Sequence, residues 1–115
     1  MPNTNPRARA AHFIIRSRAD RKMYFAPQLF SDPAWDMLLS LYAAALEQKA
    51  LTVSRLSEAA GVGLSTVQRW LRALEGQGMI VRATAGDSDE EVIGLSEKGW
   101  LAADSYFENL SSGMI

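Results

Sequence analysis

Cysteine is absent from this 115-residue sequence, histidine occurs once, and no apolar stretch approaches the roughly 18 residues needed to span a bilayer. The first absence excludes a disulfide framework and any thiolate metal site. The single imidazole, His12, lies beside Arg9 and Phe13 and reads as a surface residue. With most carboxylates gathered toward one end, no nucleophile and base pair and no metal-ligand cluster can be assembled, so neither an enzyme nor a cofactor is expected. Phe13-Ile14-Ile15, the longest apolar run near the start, is far shorter than a signal-peptide core. The expectation is a cytoplasmic protein, associated with the nucleoid, that makes no membrane contact.

What is present is enough apolar material, 48% of residues, for one core in a chain of this length. The formal net charge of −1 hides a strong gradient. Residues 1 to 24 carry a balance of +5 through Arg7, Arg9, Arg16, Arg18, Arg21 and Lys22 against Asp20. Residues 54 to 82 stand at +2, and the stretch from 86 to the end at −6. One end suits phosphates and the other repels them.

Residues 1 to 6 have turn composition and are expected to be disordered. A basic helix over 7 to 24 is allowed, but Phe13, Ile14, Ile15, Met23, Tyr24 and Phe25 have poor helical spacing and make no clean membrane-surface face. Ser31-Asp32-Pro33 is a stronger start signal, with Asp32 as cap, Pro33 at the first helical position and Asp36 in the opening turn. The helix predicted from about 33 to 48 bears one stripe of Trp35, Leu38, Leu39, Tyr42 and Leu46 and a second of Met37, Leu41 and Ala44. Two apolar faces require two coverings: the core, and either the Phe25/Leu29/Phe30 segment or a second subunit. Leu51-Thr52-Val53 reads as a short strand, Ser54 as the cap of a brief helix through Ala60, and Gly61 as its left-handed terminator. A helix follows over about 64 to 76, with Val62 and Val67 at hydrophobic-staple spacing and Gly78 at its close. Met79-Ile80-Val81 and Glu91 to Leu95 read as strands around a Gly86-Asp87-Ser88-Asp89 tip. Ser96 caps a last helix striped by Trp100, Ala103, Phe107 and Leu110, and Leu95 and Trp100 form a second staple. Ser96-Glu97-Lys98-Gly99 lacks the glycine spacing of a phosphate-binding loop, so capping is its expected role.

The stretch GVGLSTVQRW, residues 61 to 70, carries the functional argument. Val67, Leu71, Leu74 and Trp70 fall in an arc about 100° wide, while Ser65, Gln68, Arg69 and Arg72 gather on the opposite side. Arginine suits guanine or phosphate, glutamine suits adenine, and hydroxyls near a helix start suit phosphate oxygens. Alone, such a face is ordinarily just solvated. The context of short helix, glycine turn and second helix fits a helix-turn-helix, and the downstream hairpin adds a wing.

LTVSRLSEAAGVGLSTVQRWLRALEGQGMIVR followed by GDSDEEVIGLSEKG resembles the winged helix-turn-helix of MarR-type bacterial regulators, over residues 51 to 99. LFSDPAWDMLLSLYAA is similar to the entry segment of short winged-helix regulators from alphaproteobacteria. The resemblance implies a mainly α fold with a small β-hairpin wing: a three-helix core, an N-terminal extension and a C-terminal helix. It also implies a transcriptional regulator of double-stranded DNA. Ser65, Thr66, Gln68 and Arg69 would enter the major groove, and Arg72 and Arg55 would reach flanking phosphates. The tip departs from the family's Asp-x-Arg, because Asp87, Asp89, Glu90 and Glu91 would repel a phosphate backbone. Either a basic arm over residues 1 to 30, including Arg16 and Arg18, replaces the wing on DNA beside a domain over 31 to 115, or the fold serves as a protein-interaction module. A homodimer reading a palindrome is expected from the unpaired apolar faces. Trp35, Trp70 and Trp100 read chiefly as core, and secondarily as the lining of a pocket for a small aromatic effector.

Overall fold

The computed structural model describes residues 5–21, 23–24, 32–84 and 90–113. The organising element is the helix that we label α2, Pro33–Leu46, preceded by α1, Pro6–Arg21. Asp32 caps α2 by accepting from the Trp35 amide at 3.4 Å, and Pro33 and Asp36 occupy the first turn. The helix stops at Leu46, two residues earlier than its hydrophobic pattern suggests, because Gln48 turns to a φ of 59° and the amide of Lys49 folds back onto the Ala44 carbonyl at 2.9 Å.

The two stripes of α2 are buried on opposite sides. Met37 and Leu41 join Leu56, Ala60, Val67, Leu71, Leu74, Ile80 and Ile93 in one core. Leu39 and Tyr42 join Ala10, Ala11 and Phe107 in the other, with Trp35, Leu46, Trp100 and Leu110 packed around them. The Leu39/Tyr42 stripe therefore finds cover inside the chain, from α1 and the last helix. Phe25, Leu29 and Phe30, the alternative cover, lie outside the described residues, as do the first four residues.

Three short elements build the first core. β1, Leu51–Thr52, leads into α3, Val53–Ala60, whose cap is Thr52 and not the expected Ser54, since Val53 is already helical and the Thr52 hydroxyl accepts from the Arg55 amide at 3.2 Å. Gly61 ends α3 at a φ of 68°, the left-handed conformation that glycine adopts without a Cβ penalty. Then α4, Leu64–Gly76, starts at Gly63, which offers no capping side chain. Val62 and Val67, at staple spacing across this start, both pack in the first core.

β2, Ile80–Thr84, and β3, Glu91–Leu95, form the hairpin, with β3 central in a sheet of order β1-β3-β2. Leu51 and Arg82 both stand opposite Ile93, and both pairings are antiparallel. The tip, residues 85–89, lies outside the described residues.

α5, Glu97–Gly113, is capped by Ser96, whose hydroxyl accepts from the Gly99 amide at 3.0 Å and donates to the Gly78 carbonyl. Lys98 reaches the Gln77 carbonyl at the end of α4, placing a cation where the helix carries partial negative charge. The aromatic stripe of α5 meets α2 by stacking: Phe107 lies 4.7 Å from Tyr42 at 10° and 6.2 Å from Trp35 at 7°. Trp100 lies 5.3 Å from Tyr42.

α1 closes the second core. Ala8, Ala10 and Ala11 are buried, and their small side chains let the helix approach α2 and α5 closely. Arg7 donates to Asp104 Oδ2 at 2.9 Å, and Tyr42 donates its hydroxyl to Asp104 Oδ1 at 2.7 Å, joining α1, α2 and α5 at one carboxylate. Burial, reinforced by the hydrogen bond to Asp104, holds the Tyr42 phenol well above its usual pKa. The arm expected over residues 1 to 30 is thus, over its helical part, a docked element of the same core.

Gly99 is the tightest joint. A Cβ there would lie 2.0 Å from the Met79 carbonyl oxygen, a backbone atom that cannot rotate away. Gly99→Ala is expected to cost about 3 kcal/mol, at the upper end of overpacking penalties. Gly76→Ala, with nothing within 4 Å of its added carbon, is expected to be neutral or to stabilise by about 0.5 kcal/mol. Urea unfolding midpoints measured at equal slope check both.

Candidate nucleic-acid interface

The helix-turn-helix is formed by α3, the Gly61–Gly63 turn and α4. The turn is held internally: the Gly61 amide donates to the Ser57 carbonyl at 2.9 Å, and the Ser57 hydroxyl donates to the Val62 carbonyl. Val67, Leu71 and Leu74 anchor one side of α4 in the core, which forces the opposite side outward. On that side Ser65, Arg69 and Arg72 are exposed and Thr66 is half-buried. Leu64, at the first turn, is 56% exposed. Arg55 projects from α3 and is exposed as well.

Gln68 behaves differently from its neighbours. Its Oε1 accepts from Arg82 Nη2 at 2.6 Å. Arg82, on β2, also grips Glu91 of β3 with Nη2 at 2.6 Å and Nε at 3.0 Å, and lies 4.0 Å from Glu75. Glu91 opens β3, as its strand pattern predicts, but it is not a free repelling charge of the tip, because Arg82, to which the sequence pattern assigns no role, neutralises it by a two-pronged contact. The signal was available in the alternation of an antiparallel pair: Arg82 faces Ile93 and Thr84 faces Glu91, so Arg82 and Glu91 are diagonal neighbours on one face. Asp87 and Asp89 lie outside the described residues.

The N-terminal arginines divide in the same way. Arg18 was expected on the duplex, but its Nε bonds Asp36 of α2, its side chain is 16% exposed, and the pair ties the two helices together. Arg16 is exposed, on the same outward face of α1 as Arg9 and His12, because two residues along a helix turn a side chain by about 200°. His12 and Arg55 line an open groove of about 1020 Å³ between α1, α2, β1 and α3. None of the three tryptophans borders it: Trp35 and Trp100 pack in the second core and Trp70 against the first. Among the described residues no cluster of metal-ligating side chains occurs, and no helix is long and apolar enough to cross a membrane.

Fold and surface together define a winged helix-turn-helix domain of the architecture used by transcription regulators. The comparisons agree. The family described as "Sugar-specific transcriptional regulator TrmB" matches residues 39–87. The multidrug-efflux regulator MepR of Staphylococcus aureus, in a mutant from a multidrug-resistant clinical isolate, is 28% identical over 64% of this chain and 53% of that one, with a TM-score of 0.57. Another MepR mutant, bound to an oligodeoxyribonucleotide, is 26% identical over 92% of this chain and 77% of that one, with a TM-score of 0.57. AF1382 from Archaeoglobus fulgidus, 19% identical over 72% of this chain and 89% of that one, shares the fold with a TM-score of 0.60. The chain spans about half the length of the first of these relatives. No curated protein matches.

The Arg82 contact holds the Glu91 carboxyl below the usual carboxylate range, with a smaller contribution from the Gln68 amide, while burial opposes both. A carboxyl depressed in the folded state stabilises the fold above its unfolded pKa, about 4.3, and loses that contribution as pH falls through the lower folded value. Thermal unfolding of the wild type is therefore expected to show an acid-side decline below about pH 4.3 that is shallower in Glu91→Gln. Identical acid limbs would remove Glu91 from the linkage.

Proposed function

We propose that this chain is a sequence-specific DNA-binding regulator of transcription of the MarR type that lays α4 in the major groove. The observation that carries the proposal is the outward face of α4, where Ser65, Arg69 and Arg72 are exposed beside a core-anchored helix-turn-helix. The likeness to MepR, one form of which is recorded with bound oligodeoxyribonucleotide, supports it. In this reading Ser65, Thr66 and Arg69 reach base edges and nearby phosphates, and Arg55 and Arg72 hold the backbone on either side. Arg9 and Arg16, on the outer face of α1, supply the further positive charge that the sequence assigned to a basic N-terminal arm. Because α1 is part of the core, its contribution is to be tested by Arg9→Ala and Arg16→Ala, since removal of the helix would uncover Tyr42 and Phe107.

Two copies would present their α4 helices about 34 Å apart to a palindromic site. The stacked aromatic stripe is used within the chain, so the dimer contact falls to residues still exposed on the terminal helices, Phe13 of α1 and Leu101 of α5. The His12/Arg55 groove is the place in this reading for an effector.

Fluorescence anisotropy on a duplex chosen from a random pool checks the proposal. Affinity is expected to fall steeply with salt, and Arg69→Ala to relax base preference at one position by about 1–3 kcal/mol. Arg72→Ala or Arg55→Ala should weaken all duplexes alike and reduce the salt slope by about one. A wild-type protein that retains no duplex at about 50 mM salt, where non-specific binding is strong, would overturn the regulator reading and favour the protein-interaction alternative.

A further inference from the structure

Gln68 occupies the middle of α4, yet the oxygen of its amide is engaged within the protein. Arginine has only donors, so the 2.6 Å contact from Arg82 Nη2 fixes the amide oxygen as the atom facing the guanidinium. The same amide also helps hold the Glu91 carboxyl below its usual range, after the larger effect of Arg82. Adenine recognition by glutamine needs both ends of the amide, the oxygen toward N6 and the nitrogen toward N7. A Gln68 turned to a base would leave the half-buried Arg82 without one acceptor.

A second observation points the same way. Glu75, seven residues further along α4, lies on nearly the same helical face as Gln68, since seven residues complete about two turns, and it also approaches Arg82. The face of α4 that carries positions 68 and 75 is thus directed at the hairpin, while Arg69 and Arg72 remain exposed.

We propose that Gln68 is a positioning residue that reads no base: with Arg82 and Glu91 it locks the hairpin at a fixed angle to α4. The proposal deepens the DNA-binding reading and rests on it for the word "positioning", but the lock itself exists without DNA. Base choice then belongs to Ser65, Thr66 and Arg69, and substitutions in the lock act through the placement of the whole helix and wing.

The test has two arms. In the absence of DNA, a double-mutant cycle on urea unfolding compares Gln68→Ala in wild type and in Arg82→Ala. Gln68→Ala is expected to lower the folding equilibrium constant about fivefold to tenfold in wild type and less than about twofold in the Arg82→Ala background, because the hydrogen bond to the charged partner is already broken there. Equal effects in both backgrounds would overturn the lock. In the second arm, duplexes are selected by wild type, Gln68→Ala and Arg82→Ala. Both variants are expected to keep the wild-type base preference at every position while binding all duplexes more weakly by a similar factor. A preference relaxed about tenfold at one base pair by Gln68→Ala, and left intact by Arg82→Ala, would make Gln68 a base-reading residue and overturn the proposal whatever the cycle gives. If wild type binds no duplex, the regulator reading fails, and the unfolding cycle alone decides whether the lock exists.

Discussion

The burial of α2 on both faces is the constraint on which the rest of the structure depends. A helix with Met37 and Leu41 on one side and Leu39 and Tyr42 on the other cannot lie at a surface without exposing one stripe to water. One covering is the helix-turn-helix with its small sheet, and the other is the pair α1 and α5. The half of the molecule that faces outward is positioned from behind by the half that does not. Val67 and Leu71 of α4 touch the same core as Met37, so the bearing of the outward arginines is set by packing against α2.

Ion pairing within the chain sorts its cations into two groups. Arg7 is held by Asp104, Arg18 by Asp36 and Arg82 by Glu91, and each of these pairs joins separate elements. Arg9, Arg16, Arg55, Arg69 and Arg72 are exposed and take no part in the ion pairs found among the described residues. A net charge of −1 is compatible with an electropositive side because a phosphate backbone responds to local potential and not to the sum.

Helix starts, glycine stops and staples were legible in the sequence because each is written in residues close together. Asp32, Gly61 and Ser96 with Gly99 satisfy local backbone groups, Val62 and Val67 pack in one core, and these hold in the structure, whereas the cap of α3 shifts from Ser54 to Thr52. What escaped the reading was long-range. α1 packs through Ala8, Ala10 and Ala11, residues too small to register as an apolar stripe when large side chains are counted, so the basic helix allowed over 7 to 24 showed no core-facing side. The fate of Gln68 and Glu91 depended on Arg82, 14 residues from one and 9 from the other, and on a strand register that hydropathy does not give. Of the residues picked out for the candidate interface, those whose surroundings are set by their own helix stand exposed, as Arg69 and Arg72 do. Arg18 and Gln68 were decided by a neighbouring element.

The alanine seam beneath α1 also changes the thermodynamic character of whatever its outer side meets. A disordered basic tail loses its freedom at the moment of association, and that loss is subtracted from the affinity it provides. Here α1 is ordered when the chain folds, and Arg9 and Arg16 stand on the outer side of a helix packed in the core. If α1 meets a phosphate backbone in the way proposed, that loss is not subtracted from what these two arginines contribute, an advantage that a tethered string of the same charges lacks.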